Sequence, residues 1–268
     1  MSGTKFLNIN DAKIAYIEHF IRGSRFGVVI IHGMAEHKGR YDDLINELVK
    51  NNISVFAVDL RGHGESYGKR GDARNFKEFL SDLDGFVEFI KIRYSELKIV
   101  LFGHSFGGQI SFVYSAMKNN VEGLVLSSPL LCKPRNALML NFVPHKLFGW
   151  VRLKKRHSES LEMLEYSRND LLALKNFSLR MVGIMFKDGM RQVNRYKNNL
   201  RCPTFVMLGK NDPLIDCSKN KNFFYKLNKS NVEAKVYEDG KHRLVQNEGR
   251  FERIKDIVDW INSLDEKT

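Results

Sequence analysis

The amino-acid sequence predicts an α/β fold, in which a mostly parallel sheet of eight strands carries helices on both faces and a helical insertion above it. Three observations lead to this prediction. The chain has 268 residues, 43% of them hydrophobic, which is enough to bury a large core in a single unit. Short β-branched apolar runs alternate with stretches whose apolar residues recur at helical spacing. This alternation stops between residues 130 and 199, where the insertion is expected.

The predicted sheet begins with a hairpin and continues with six further strands. The hairpin covers residues 5–8 and 13–19. The last strand, 232–237, alternates in polarity as a strand near a sheet edge does. The other five are continuous apolar runs, which indicates burial on both faces. These buried runs span residues 28–31, 53–58, 98–102, 123–127 and 204–208.

Helical periodicity marks five segments that lie between or after these strands. They span residues 41–50, 76–94, 105–118, 219–227 and 249–264. The interval 130–199 is helix-like and contains no convincing strand. We therefore predict an α/β core formed by residues 1–129 and 200–268, with residues 130–199 as a helical cap over the carboxyl ends of the strands.

Positive charge is concentrated in the predicted cap. The formal net charge of the chain is +12, and residues 133–201 contain fifteen basic and five acidic side chains, which gives this segment +10. Apolar residues and Trp150 are interspersed with these cations, a pattern typical of elements that lie on an anionic membrane surface. Alternatively, the apolar residues pack the cap onto the core and the cations are solvated. We expect no nucleic-acid partner, because no known nucleic-acid module surrounds the charge.

The amino-terminal residues and the cysteines indicate the cellular compartment of the protein. Residues 1–5 precede no apolar run, and the chain has no apolar stretch long enough for a membrane span, so we expect neither a signal peptide nor a transmembrane helix. The three cysteines lack a CxxC spacing, which argues against a disulfide scaffold and a zinc knuckle. We expect a cytoplasmic protein that contacts membranes peripherally, with no metal and no cofactor.

One turn between a strand and a helix carries the residues of a nucleophile. Residues 103–108 have the sequence GHSFGG and join strand 98–102 to helix 105–118, the context that the G-x-S-x-G elbow requires. Glycines are needed because larger side chains would clash in so tight a turn. The turn directs the Ser105 hydroxyl toward the amino end of the helix, where free amides and the dipole favour negative charge. Ser105 is therefore the predicted nucleophile.

A hydroxyl is a poor nucleophile until a base accepts its proton. In this arrangement the acid and the base follow the serine along the chain, each after a late strand. Asp212 follows strand 204–208 and His242 follows strand 232–237. We predict a triad of Ser105, His242 and Asp212, in which the carboxylate fixes the imidazole tautomer. Asp216 and Asp239 are rival acids, and each candidate has the alternative role of an ordinary loop residue.

A tetrahedral intermediate also needs backbone donors for its negative oxygen. The amide of Phe106, the residue after the nucleophile, is the first predicted donor. The second is expected from the loop after strand 28–31, which has the sequence HGMAEH over residues 32–37. Its position in that loop assigns the amide of Met34 to this role.

Three motifs together resemble the monoacylglycerol lipase and lysophospholipase group of serine hydrolases with the α/β-hydrolase fold. They are HGMAEH at 32–37 followed by Arg40 and Tyr41, DLRGHGES at 59–66, and GHSFGG at 103–108. The Glu-His and Arg-Tyr extension of the first motif is the most specific. The resemblance is strong over residues 28–129, adequate over 202–242 and weak across the cap. Phe106 stands where the family commonly has methionine, a change that keeps the amide.

The resemblance implies hydrolysis of carboxylic esters of lipids, such as monoacylglycerols or lysophospholipids, through an acyl-enzyme. It also implies that Glu36 and Arg40 lie near the polar end of the acyl pocket, close to the head group. The alternative for these two residues is a salt bridge that orders the oxyanion loop. Two other functions stay open: a general carboxylesterase for short soluble esters, and a non-catalytic binding module of the same fold.

Overall fold

An eight-stranded sheet forms the centre of the protein, which we describe from a computed structural model over residues 3–133, 149–152, 169–227 and 230–266. The sheet strands are β1 (Lys5–Ile9), β2 (Ala12–His19), β3 (Phe26–Ile31), β4 (Ser54–Val58), β5 (Lys98–His104), β6 (Gly123–Ser127), β9 (Thr204–Gly209) and β10 (Val232–Tyr237). Two short strands of a separate pair are β7 (Trp150–Arg152) and β8 (Asn176–Ser178).

The order of strands in the sheet is β1-β2-β4-β3-β5-β6-β9-β10. β1 and β2 form an antiparallel hairpin, and β2 pairs antiparallel with β4. All other neighbours are parallel, which confirms the mostly parallel α/β-hydrolase sheet predicted from the sequence. Every residue of β3, β4, β6 and β9 is buried, as the continuous apolar runs predict, whereas β10 at the edge is largely exposed.

Helices cover both faces of this sheet. They are α1 (Asp42–Lys50), α2 (Phe76–Arg93), α3 (Phe106–Lys118), α4 (Leu179–Gly183), α5 (Met190–Tyr196), α6 (Cys217–Leu227) and α7 (Arg250–Asn262). Residues of α2 and α3 belong to one buried apolar cluster, and residues of α1 and α7 belong to a second. Two clusters separated by one sheet are the arrangement that strand and helix alternation predicts.

The described part of the predicted cap differs from the expectation that it contains no strand. β7 pairs antiparallel with β8, with Val151 opposite Phe177. Three-residue strands are too short to give a periodic sequence signal, and this pair forms between segments that are distant in the chain. The following chain is helical, with a π-helical turn, Ile184–Gly189, between α4 and α5.

Hydrogen bonds join the later part of the predicted cap to the core. Ser178 N donates to Gly71 O at 2.9 Å, and the Asp72 carboxylate accepts from the Ser178 hydroxyl and from Arg180 Nε at 2.6 and 3.0 Å. The boundaries at residues 130 and 199 stay a prediction, because residues 134–148 and 153–168 lie outside the described residues. Within the described residues, no helix is long and apolar enough to cross a membrane.

Candidate active site

The turn between β5 and α3 holds Ser105 in a strained backbone conformation. Its φ and ψ are 52° and −112°, in a region that residues with a side chain rarely adopt. A Cβ on Gly107 would lie 2.2 Å from Ile31 O, and one on Gly103 would lie 2.6 Å from Ser111 Oγ. Glycine is therefore required at both positions, and the turn can approach β3 closely enough to lift Ser105 above the sheet.

The side chains of Ser105, His242 and Asp212 form a hydrogen-bonded chain. His242 Nε2 lies 3.1 Å from Ser105 Oγ, and His242 Nδ1 lies 2.7 Å from Asp212 Oδ2. Because a carboxylate can only accept, His242 donates through Nδ1 and its Nε2 is free to accept the serine proton. The rival acids contact other groups: Asp239 binds Arg253 and Asp216 accepts from the amide of Lys219.

The Asp212 carboxylate is held by the loop after β9. Its Oδ1 accepts from the amides of Leu214 and Ile215 at 2.8 and 2.9 Å. Burial would raise the pKa of Asp212, but the charge of His242 and these hydrogen bonds outweigh it and lower the pKa below its usual value. The carboxylate is therefore ionised at neutral pH, as a group that stabilises an imidazolium must be.

One predicted oxyanion donor, Phe106, directly follows Ser105, and the other, Met34, lies in the loop after β3. Phe106 is the first residue of α3, so its amide has no partner four residues back within the helix. The loop after β3 passes close to Ser105, since a Cβ on Gly33 would lie 3.3 Å from Ser105 Cβ. Met34 follows Gly33, and Ala35 turns the chain with a φ of 67°. Both amides stay predictions, and this geometry is compatible with them.

Glu36 is buried beneath this loop, and all of its contacts are internal. Its Oε2 accepts from Gly33 N at 3.2 Å and from the Tyr41 hydroxyl at 2.7 Å, and its Oε1 lies 2.8 Å from Arg243 Nε. Although burial opposes it, the positive charges of His104 in its protonated form, Arg243 and Arg40 lower the pKa of Glu36 well below its usual range. These contacts favour the loop-ordering alternative for Glu36.

Arg40 connects the same loop to the cap. Its Nε and Nη2 lie 2.9 and 2.8 Å from Asp170 Oδ2, and His37 Nε2 lies 2.8 Å from the same oxygen. Leu174 N also donates to Ala35 O at 3.2 Å. These contacts favour an ordering role for Arg40 as well, so a head-group contact for either residue stays a prediction from the resemblance.

His104 is buried and packs against His242. Its ring centroid is 4.8 Å from that of His242, and its Nδ1 donates to Ser127 O at 3.1 Å. Burial, more than any neighbouring group, lowers the pKa of His104 to about 4. His104 is therefore neutral at neutral pH and adds no charge beside His242.

Two residues of this site, Arg243 and Asp170, do not follow from sequence reasoning. Each binds a partner far away in the chain, Glu36 for Arg243 and Arg40 for Asp170. Arg243 directly follows His242, and that adjacency was the one available signal. Asp170 lies in a segment without a recognisable motif.

A mostly parallel eight-stranded sheet with a G-x-S-x-G turn between β5 and α3 defines the α/β-hydrolase class. The sequence profile of the family described as serine aminopeptidase, S33, matches residues 24–249. The chain therefore belongs to this family of serine hydrolases.

Relatives named as monoglyceride lipases or their homologs align with most of the chain. Over 229 residues the chain is 31% identical to the monoglyceride lipase of Mus musculus, covering 81% of this chain and 75% of that protein. It is 29% identical over 249 residues to a monoglyceride lipase homolog of Monkeypox virus, covering 87% and 88%. A solved soluble variant of monoglyceride lipase from Saccharomyces cerevisiae has the same fold, with a TM-score of 0.87 at 20% identity, covering 98% of this chain and 95% of that one. The chain is a carboxylic ester hydrolase.

Proposed function

We propose that this enzyme hydrolyses carboxylic esters of lipids, such as monoacylglycerols or lysophospholipids, with Ser105 as the nucleophile. The observation that carries the proposal is the hydrogen-bonded chain from Ser105 through His242 to Asp212, with distances of 3.1 and 2.7 Å. The names of the monoglyceride lipase relatives support the lipid part of the proposal. The apolar and basic composition of the cap supports it as well.

The first half of the proposed reaction transfers the acyl group to the enzyme. Ser105 Oγ attacks the ester carbonyl carbon while its proton moves to His242 Nε2. The carbonyl oxygen becomes negative and accepts from the amides of Met34 and Phe106. When the intermediate collapses, the carbon–oxygen bond to the alcohol breaks, and the alcohol leaves with the proton from His242.

The second half releases the fatty acid. Water attacks the acyl carbon, gives one proton to His242 and forms a second tetrahedral intermediate. Collapse of this intermediate breaks the bond to Ser105 Oγ, which takes the proton back. Asp212 keeps the imidazole oriented and stabilises its charged form in both halves.

Two measurements test this proposal. Hydrolysis rates across monoacylglycerols, lysophospholipids and p-nitrophenyl esters of rising chain length should give the highest kcat/KM with the longer acyl chains. A fluorophosphonate probe should label the wild type and leave Ser105→Ala unlabelled. Highest kcat/KM with acetyl or butyryl esters would instead identify a general carboxylesterase, and labelling of Ser105→Ala would refute the assignment of the nucleophile.

We also propose that the enzyme contacts anionic membranes peripherally through the cap. The charge of +10 on residues 133–201 supports this contact, as does Trp150 in β7, which is 51% exposed. Tryptophan is suited to the headgroup level of a bilayer.

A further inference from the structure

Arg243, which follows the base His242, forms an ion pair that joins two parts of the candidate site. Its Nε lies 2.8 Å from Glu36 Oε1, and the side chains of Arg243 and Glu36 are 17% and 2% exposed. The other oxygen of that carboxylate accepts from Gly33 N and from the Tyr41 hydroxyl, at 3.2 and 2.7 Å. One buried carboxylate therefore contacts both the loop that carries the base and the loop that carries a proposed oxyanion donor.

These contacts lie one residue away from the groups that perform the reaction. Arg243 follows His242 in the chain, and Gly33 precedes Met34. Because a peptide plane is rigid, a shift of Arg243 or Gly33 moves its neighbour as well. The chain beyond Arg243 is fixed by Leu244, whose side chain is completely buried. A displacement of the arginine is therefore transmitted toward His242.

We propose that Arg243 is a positioning residue: its pairing with Glu36 holds the imidazole of His242 and the amide of Met34 at a fixed separation around the reacting carbonyl. This inference rests on the proposed function, with Ser105 as nucleophile. The base and the oxyanion donor act on the same transition state, so a change in their separation weakens transition-state stabilisation more than it weakens binding of a small ester.

The charge of Glu36 explains why a cation is required opposite it. Its pKa is well below its usual range, so the carboxylate is ionised at neutral pH. A buried charge that loses its partner is strongly destabilised, and it shifts toward whatever donors remain. Because Gly33 N donates to Glu36, such a shift moves the oxyanion loop together with the carboxylate.

The test compares Arg243→Gln with the matched variant Arg250→Gln. Arg250 Nε lies 2.5 Å from Asp43 Oδ2, so it joins α7 to α1 by the same kind of bond outside the candidate site. With p-nitrophenyl butyrate, Arg243→Gln should lower kcat on the order of 10- to 100-fold, the size expected for a small misplacement of reacting groups. Its KM should stay within about twofold of the wild-type value, and Arg250→Gln should leave both constants unchanged.

A double-mutant cycle examines the pairing itself. Glu36→Gln should lower kcat about as much as Arg243→Gln, and the double variant should lose no more than either, because both remove the same coupling. Arg243→Lys keeps a cation opposite Glu36 and should recover part of the lost kcat. Independent, multiplicative losses in the double variant would overturn the proposal.

Other results would overturn it as well. These are a folded Arg243→Gln with wild-type kcat, and a loss in Arg250→Gln equal to that in Arg243→Gln. If Arg243→Gln does not fold, the partner variant takes its place, and wild-type kcat in a folded Glu36→Gln overturns the proposal. Failure of the proposed function would be visible differently, as ester hydrolysis that persists in Ser105→Ala, and would remove the inference with it.

Discussion

Removing either partner of the Ser105 and His242 hydrogen bond removes the same proton transfer, because the two atoms lie 3.1 Å apart. Ser105→Ala and His242→Ala should therefore lose similar turnover, and the double variant should lose no more. Asp212→Asn should cost on the order of 10⁴-fold in kcat, because an amide favours the wrong imidazole tautomer. The measurement is kcat for a p-nitrophenyl ester.

Asp239→Asn is the control for this series. Asp239 binds Arg253, and its side chain is 75% exposed, so the variant should keep near-wild-type kcat. A large loss in Asp239→Asn together with normal turnover in Asp212→Asn would contradict the assignment of the acid.

The buried His104 makes stability depend on pH. Burial lowers its pKa to about 4 in the folded protein, whereas an unfolded histidine titrates near about 6.5. Between these values the unfolded chain binds more protons, so the free energy of unfolding rises with pH. We expect His104 to contribute up to about 1.4 kcal/mol per pH unit in this window. The pKa values of Glu36 and Asp212 are lowered in the folded protein, so their ionised carboxylates stabilise it. This stabilisation is lost at lower pH, as the two groups take up protons.

Urea unfolding of the wild type and His104→Asn at pH 7, 6 and 5 tests this prediction. Asparagine keeps a donor for Ser127 O but does not titrate. The free energy of unfolding of the wild type should fall more steeply on acidification than that of His104→Asn. Equal slopes for the two proteins would show that His104 is not held neutral.

Local motifs explain why a triad could be predicted from the sequence, whereas the residues that support it could not. Ser105, Asp212 and His242 each follow a strand, and the chain order of the three roles is fixed in this fold. The contact of Arg243 with Glu36 depends instead on how two distant loops pack, for which a single sequence has no periodic signal.

At the level of elements, the elbow depends on the contact of Gly107 with β3. A Cβ at this position would lie 2.2 Å from Ile31 O and 2.4 Å from His32 O, and neither backbone oxygen can move without distorting the sheet. Gly107→Ala should lower the free energy of unfolding by about 3 kcal/mol and strongly reduce turnover. Urea unfolding measures the first effect and an ester assay measures the second.

Gly23→Ala separates this steric effect from the cost of a left-handed backbone. Gly23 has a φ of 81°, but a Cβ there meets nothing within 4 Å. Gly23→Ala should lower the free energy of unfolding by only about 1–2 kcal/mol and leave turnover unchanged. A smaller loss of stability in Gly107→Ala than in Gly23→Ala would contradict the steric account of the elbow.

The sequence predicted long elements well and short ones poorly, for a physical reason. Buried strands such as β3 and β9 contain continuous apolar runs, and the amphipathic helices have a clear period. β7 and β8 are three residues each and depend on pairing with each other and on the bond of Ser178 N to Gly71 O. The π-helical turn Ile184–Gly189 likewise has no distinct sequence period.

At the level of the whole molecule, the charge is distributed unevenly. Residues 133–201 carry +10 of the formal +12, so the rest of the chain is almost neutral. Within the described residues, Trp150 is half exposed, and Lys69 Nζ lies 5.2 Å from the centre of its ring. An aromatic side chain beside a cation on a basic surface is suited to the interface of an anionic bilayer.

This asymmetry predicts salt-sensitive binding to anionic membranes. Each basic residue near such a surface contributes about 1 kcal/mol, and the attraction fades within a Debye length. The protein should sediment with anionic vesicles at low salt, be released at high salt, and bind neutral vesicles less. Reversing Arg152, Lys154, Lys155 and Arg156 to Glu should weaken this binding without changing hydrolysis of a short soluble ester. The last three of these positions lie outside the described residues.

Charge reversal elsewhere on the molecule distinguishes a membrane-facing cap from the effect of net charge alone. The matched variant reverses four exposed cations that lie near the amino ends of the parallel strands, at the opposite end of the sheet from the predicted cap: Arg22, Lys50, Arg93 and Lys118. It changes the net charge by the same amount. Because attraction to a bilayer acts over about 10 Å at moderate salt, cations at the end of the sheet opposite the predicted cap should contribute little, and this variant should sediment nearly as well as the wild type. Equal loss of vesicle binding in both variants would assign the effect to net charge, and no loss in the cap variant would show that the cap cations serve another purpose.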